Sequence, residues 1–481
     1  MIERKTKRVA RIGTFAVAHA TYWDQFEGLL DNIMGYHADF VKKLEANDVE
    51  VIDYGMVDSS EKGYEAARRM RGDNLDLLMC NMVTYATSSV FAPIVRDTHI
   101  PMVLVALQPR EAMDYTKAST FMQLENDNIC SVPEFMGVAE RLDRTIHDVI
   151  IGTLYNDAEA DAEVTKWCDI AKVLHSLSGA RLGLMGHVLE AMYDMHADPT
   201  AISAAFGLHV PLLEIDDVVE LYNTVTEDEI QEKIALIDRE FDMPDPKSDP
   251  VTTKLTDADK YQAAKSAVAL DKLVEKYNLT GLAYYYEGSE DSVQRKVATT
   301  FIVGNSILNA EGTPMCGEFD IKTLVAMLIM DRLDIGGSFA EFHPFDFKED
   351  FILVGHDGPH HLRIANGKPV LRSLKKYHGK PGSGASVEFK LKEGPITMLG
   401  ITQTRNGKFK FVIGEGTSKA GPIPPTGNTN TRGFFEPTTK EFIKKWVMEC
   451  PTHHYALGIG HHADTIAKIA EILGIEYVII R

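Results

Sequence analysis

A chain of 481 residues, 44% hydrophobic and 25% charged, is too long for one core and ordinary for a globular protein of two or three domains. Asp and Glu outnumber Lys and Arg by 70 to 50, and the resulting formal charge of −20 argues against a nucleic-acid groove and against docking on anionic lipid. No apolar run reaches the ~18 residues of a membrane span, and the charged start M-I-E-R-K-T-K-R lacks the apolar core of a signal peptide. The cysteines, Cys80, Cys130, Cys168, Cys316 and Cys450, are odd in number and widely spaced, with no C-x-x-C. That pattern gives neither a disulfide framework nor a zinc cage, and a reducing cytoplasm is the expected location.

In chain order, short apolar runs alternate with amphipathic stretches. Strands are expected over 9–17, 49–54, 75–81 and 101–107, and helices over 23–47, 61–71 and 88–97. Such a rhythm of continuous apolar strands and helices predicts a parallel sheet covered on both faces, with ligands beyond the carboxyl ends of the strands. No G-x-G-x-x-G follows the first strand, so a dinucleotide is not supported. A long helix over 158–178 leads to a second round: strands over 181–185 and 210–215, helix 227–241, a proline-rich loop over 243–250, helix 257–277, strand 281–286 and a helix over 292–309. Beyond Ser338 the character changes to alternating segments around Val387, Met398 and Phe411, with Asn406-Gly407 as a hairpin turn. This predicts a small antiparallel barrel or sandwich. The stretch 379–386 reads as a flexible connection and 419–435 as a long irregular loop, which inside a compact domain is usually functional. Helices over 439–449 and 464–473 and a strand over 476–480 complete the chain. The expected fold is α/β: two Rossmann-like α/β domains with parallel sheets, 1–178 and 179–337, followed by a β-rich antiparallel-barrel domain, 338–481.

Four short segments carry chemistry. They are C-G-E-F-D-I-K from Cys316, S-F-A-E-F from Ser338, V-G-H-D-G from Val354 and P-T-H-H-Y from Pro451. Two carboxylates and two imidazoles from separate segments can hold a divalent metal, and this donor mix suits Mn, Fe, Co or Zn. Each residue alone has an ordinary explanation. Glu318 can be a first-turn helix charge, Glu341 a carboxylate between Phe339 and Phe342, and His356 a strand-end histidine. Adjacent side chains diverge, so one of His453 and His454 at most is expected to be a ligand. G-K-P-G-S-G-A-S lacks the G-K-[ST] ending of a phosphate loop, and no G-x-S-x-G elbow occurs.

The order and wording of the four segments resemble the L-arabinose isomerases within the L-fucose/L-arabinose isomerase family. The matching pieces are G-E-x-D-x-K at 317–322, S-F-x-E at 338–341, the glycine-flanked His356 and the His453–His454 pair. The resemblance implies a cytoplasmic, metal-dependent aldose–ketose sugar isomerase working through a cis-enediol. It implies Glu318, Glu341, His356 and His454 as metal ligands and the two glutamates as the acid/base pair. The implied metal is Mn²⁺, or another divalent ion such as Co²⁺, Fe²⁺ or Mg²⁺. The implied assembly is a homohexamer with sites at subunit interfaces, acting on a small sugar, with neither nucleic acid nor membrane as partner. Departures fall where the sugar would be touched away from the metal. The family's turn after the first strand appears as A-V-A-H-A-T-Y-W, keeping His19 without a Gln. Its sugar-contacting segment corresponds loosely to L-E-N-D-N-I-C around Asn126, and Asp357 stands where an apolar residue is usual. The substrate is therefore open, and Arg432 is a candidate for an anionic end. Two alternatives remain at this point: a sugar or sugar-acid epimerase using the same metal site, and a non-catalytic sugar-binding protein.

Overall fold

The computed structural model describes residues 2–189, 191–243, 255–373, 384–424 and 429–481. The chain forms two compact units, Arg8–Ser176, and Met1–Lys7 together with Leu177–Arg481.

The first unit is built on five parallel strands: β1 (Arg11–Val17), β2 (Glu50–Val57), β3 (Leu77–Met82), β4 (Met102–Gln108) and β5 (Asp148–Thr153), in the order β2-β1-β3-β4-β5. β3 and β4 are buried along nearly their whole length because both faces are covered. One face packs Phe15, Leu78, Cys80 and Leu104 against Phe91 and Phe135 of the helices Ser88–Asp97 and Val132–Arg141. The other packs Ala16 against Leu29 and Ile33 of the helix Leu29–Glu45. That helix starts six residues later than periodicity suggests, because Gly28 takes a left-handed φ of 83° at its N-cap. The strand β5 and the helices Thr120–Leu124 and Val132–Arg141 were not anticipated from the sequence.

The second unit begins with four parallel strands, β6 (Leu182–Gly186), β7 (Leu212–Leu213), β8 (Gly281–Tyr285) and β9 (Met315–Cys316), ordered β7-β6-β8-β9. The expected strand over 210–215 shrinks to β7, and Ile215–Asn223 is helical. The expected helix over 292–309 is two, Val293–Ala298 and Ile302–Glu311.

Next come β10 (Gly336–Asp346), β11 (Phe351–His356), β12 (Val370–Ser373), β13 (Ala385–Glu388), β14 (Gly394–Gln403), β15 (Phe409–Lys419), β16 (Thr429–Phe434), β17 (Tyr455–Ile459) and β18 (Glu476–Ile480). Six of them close an antiparallel barrel, β14-β17-β10-β11-β16-β15 and back to β14, with β18 added parallel to β15. Asn406-Gly407 makes the β14–β15 turn, with Gly407 at φ 76°. Two expectations are corrected. The segment around Val387 pairs with β12 in a separate two-stranded sheet, outside the barrel. Within 419–435, residues 429–434 are a barrel strand seated between β11 and β15. The proline-rich loop over 243–250 lies outside the described residues except Met243, as do 379–383 of the connection and 425–428 of the loop.

One helix ties this unit together. Every residue of Ile321–Arg332 is buried. It contacts β6, β8 and β9 of the parallel sheet and β10, β14 and β17 of the barrel. A helix buried all round needs no polar face, which explains its unbroken apolar run T-L-V-A-M-L-I-M. Asp331 near its end is buried against Arg4, Arg332 and His361, and so binds the N-terminal residues to this helix.

Candidate active site

The site gathers at the N-terminal end of that central helix. Asp320 caps it, its carboxylate accepting from the backbone N–H of Lys322 and Thr323 and from the Thr323 hydroxyl at 2.7 Å. The turn before it is strained: Glu318 and Phe319 both hold left-handed backbone, at φ 57° and 63°. Non-glycine residues in that region cost on the order of 1–3 kcal/mol each and persist only where surroundings enforce them. Here Phe319 N–H donates to the Tyr284 carbonyl at the carboxyl end of β8, which fixes the turn against the parallel sheet. Glu318 also stands at the positive end of a buried helix, which favours a negative side chain.

The barrel supplies the rest. Glu341 lies in β10 opposite Gly355 of β11, and His356 ends β11. Gly355 is required by packing, because a Cβ there would sit 1.8 Å from the Thr429 carbonyl oxygen of β16. His454 immediately precedes β17. Phe339 of β10 packs beside both histidines, its ring centroid 4.4 Å from each, and the two imidazoles meet edge-on at 5.1 Å. A Cβ at Gly317 would come within 3.3 Å of the same ring, so the strained turn and the phenyl ring fit closely.

The four predicted residues fall into two overlapping groups that share His454. His454 Nε2 lies 3.4 Å from Glu318 Oε2, and His356 Nε2 lies 3.6 Å from Glu341 Oε1. Potential donor atoms of Glu341, His356 and His454 lie within 4.8 Å of one another, and so do those of Glu318, His453 and His454. His453 is the surprise. It does not diverge from His454, because a bend at His453 breaks the extended alternation and leaves the two rings 3.9 Å apart. Asp194 holds it, accepting from its backbone N–H at 2.9 Å and pairing with Nδ1 at 2.6 Å. Buried Lys322 donates to the carbonyls of Asp194 and His196 and so anchors that segment.

Electrostatics follow from burial and these partners. Burial pushes the Glu318 carboxyl up, and neighbouring Glu341 and Asp320 add to the rise while the two histidines oppose it. Burial, reinforced by His454 and His360, holds His356 well below the usual imidazole range, and so neutral. Burial also disfavours charge on His454, but its Asp320 bond and the surrounding carboxylates outweigh that and raise its pKa. Burial acts against the Asp320 carboxylate too, yet the His454 bond at 3.1 Å and Lys322 keep its pKa low.

This donor set fits a divalent cation. His454 Nδ1 is engaged by Asp320, which leaves Nε2 facing Glu318; that Nε2 and Glu318 Oε2 are both buried without a hydrogen-bond partner. An imidazole oriented through one nitrogen by a carboxylate, with the other aimed at an acid, is the arrangement of metal-ligating histidines. Among the described residues no hydrogen bond satisfies these atoms, and leaving buried polar atoms unsatisfied is costly.

A cavity of about 480 Å³ is lined by Glu318, Glu341, His356 and His453, and also by Tyr284–Tyr286 and Arg295. That volume lies within the ~300–1,000 Å³ typical of small-molecule sites. Buried Asp357 lines it as well. Arg432 does not. Its guanidinium lies over the Phe351 ring at 4.0 Å and pairs with Glu349 at 2.9 Å, which accounts for its charge structurally. His19 and Asn126 belong to the Arg8–Ser176 unit. There His19 meets Thr21, Tyr22 and Tyr85, and Asn126 exchanges hydrogen bonds with the Arg110 backbone.

Residues 362–481 match the model of the L-fucose isomerase C-terminal domain. The chain is 24% identical to an L-arabinose isomerase of Clostridium beijerinckii, over 72% of this chain and 69% of that one. It is 22% identical to those of Herpetosiphon aurantiacus, over 83% and 79%, and Aeromonas salmonicida, over 84% and 80%. The chain is thus similar to L-arabinose isomerases along most of its length, and to the C-terminal domain of L-fucose isomerase over 362–481.

Proposed function

We propose that the cavity beside the quartet is the active site of a sugar aldose–ketose isomerase in which Glu318, Glu341, His356 and His454 hold one divalent cation, Mn²⁺ being the natural candidate. What supports this is two overlapping donor groups, Glu341–His356–His454 and Glu318–His453–His454, drawn from distant segments and sharing His454, with buried unpartnered donor atoms on His454 and Glu318. A cation bound there supplies Lewis-acid polarisation of the sugar's C1 and C2 oxygens.

The chain's own residues do the proton work. Isomerisation takes a proton from C2 of the open-chain aldose and returns one to C1, with a cis-enediol between. Glu318 and Glu341 line the cavity together, and they divide the carbon-bound and oxygen-bound protons between them. Burial raises the Glu318 pKa, which makes it a better proton carrier than an exposed carboxylate. His356, kept neutral by burial, has a lone pair to offer as a ligand. Asp320 and Asp194 hold His454 and His453 in place. Asp357 and the cavity-lining tyrosines Tyr284–Tyr286 are placed to meet the remaining hydroxyls. The same reading includes a cytoplasmic homohexamer with sites at subunit interfaces, and the domain division 1–178, 179–337 and 338–481.

The test is proton NMR in D₂O with a panel of aldoses and Mn²⁺. Ketose labelled at C1 is expected. Label at C2 without ketose makes the protein an epimerase. No turnover, with sugar binding indifferent to EDTA, defeats the catalytic reading altogether.

A further inference from the structure

Arg295 lines the same cavity as Glu318, Glu341 and His356, on the short helix Val293–Ala298 that follows β8. Its side chain is half-buried, and its Nη1 donates to the Gly288 carbonyl at 3.1 Å. Among the described residues it forms no ion pair, although Glu287 and Asp357 line the same cavity. Glu287 accepts instead from the Tyr285 hydroxyl. This contrasts with Arg4, Arg110, Arg332, Arg372 and Arg432, each paired with a carboxylate.

A guanidinium is always charged, and half-burying one in a cavity wall with no carboxylate in direct contact carries some desolvation cost. A neutral sugar gives no reason for that cost, since an amide would serve its hydroxyls as well. A planar fork of N–H donors matches a terminal oxyanion group, to which it can donate two parallel bonds.

Resting on the isomerase reading above, we infer that Arg295 is a specificity residue for a sugar carrying an anionic group at the end remote from its carbonyl: a carboxylate, phosphate or sulfonate. The substrate then spans the cavity, with C1 and C2 at the Glu318–Glu341 end and the anion at the Tyr285–Arg295 end.

The experiment uses the Mn²⁺-loaded full chain and non-reacting alditols, so that binding is read without turnover. Glucitol is compared by calorimetry with glucitol carrying a 6-phosphate, a 6-sulfonate or a 6-carboxylate. At least one anionic member is expected to bind tighter than glucitol by a factor of about 10–100, the range of a charge-assisted contact. The best of the three identifies the anion. Arg295→Gln should collapse that ratio toward one, and Arg295→Lys should restore part of it. Glucitol binding as tightly as all three anions overturns the inference, as does a Gln variant that weakens both members equally. Turnover of neutral aldoses with no anion preference leaves the isomerase reading standing and this inference refuted. A clear anion preference with no turnover of any matched aldose does the reverse.

Discussion

Asp320→Asn isolates one carboxylate charge at the centre of the site. The parent carboxylate is fully buried and makes four contacts: two backbone N–H groups, the Thr323 hydroxyl and His454 Nδ1 at 3.1 Å. Asparagine is as good an N-cap as aspartate, so the helix start Ile321–Arg332 is retained. What is lost is the charge-assisted character of the His454 bond, about 1.5–3 kcal/mol. The lowered pKa of Asp320 means its contribution is present above the ordinary carboxyl pKa of about 3.9 and disappears as pH falls through the folded value. The variant should therefore lose about 1.5–3 kcal/mol in urea unfolding at pH 7, and the gap should narrow under strong acid. With His454 no longer held by a carboxylate, Mn²⁺ affinity should fall by about 10–100-fold, the usual effect of losing such a support. Calorimetric titration of Mn²⁺ reads this directly. An affinity within threefold of the parent would show that Asp320 does not orient a ligand, and the account of His454 would fail with it.

Glu318→Gln and Glu341→Gln should each lower isomerase turnover by about 10²–10⁴ while leaving the fold intact; effects within threefold would remove both from the acid/base role. EDTA should abolish turnover, and Mn²⁺ at about 100 times its Kd should stabilise the folded chain by about 2.7 kcal/mol in thermal unfolding. Asp331→Asn leaves Arg4 and Arg332 without their buried counter-charge and should cost about 3–5 kcal/mol in chemical denaturation. Gly355→Ala forces β11 from β16 and should cost about 1–3 kcal/mol, with reduced metal affinity because His356 follows directly.

Where structure is decided by near neighbours, the sequence was readable. The helix Asp257–Tyr277 begins with a Thr256 capping box, the helix Ser88–Asp97 has clear boundaries, and Asn406-Gly407 turns between two alternating strands. Where long-range pairing decides, it was not. β16 reads T-N-T-R-G-F, polar and glycine-bearing, and becomes a strand because β11 and β15 offer it edges on both sides. Glu318, Glu341, His356 and His454 could be singled out from the sequence because their motif wording carries them. Asp194 lies far from any motif and matters only because its segment folds back on His453, and Arg295 stands in an unremarkable helix. The bend that aligns His453 with His454 has no signature in P-T-H-H-Y.

Crystals grown with Mn²⁺ and measured across the manganese absorption edge give the most direct test. One anomalous peak is expected within bonding reach, about 2.0–2.3 Å, of side-chain atoms from Glu318, Glu341, His356 and His454. A fully loaded protein whose peak lies elsewhere, or touches none of the two glutamates, would contradict the account.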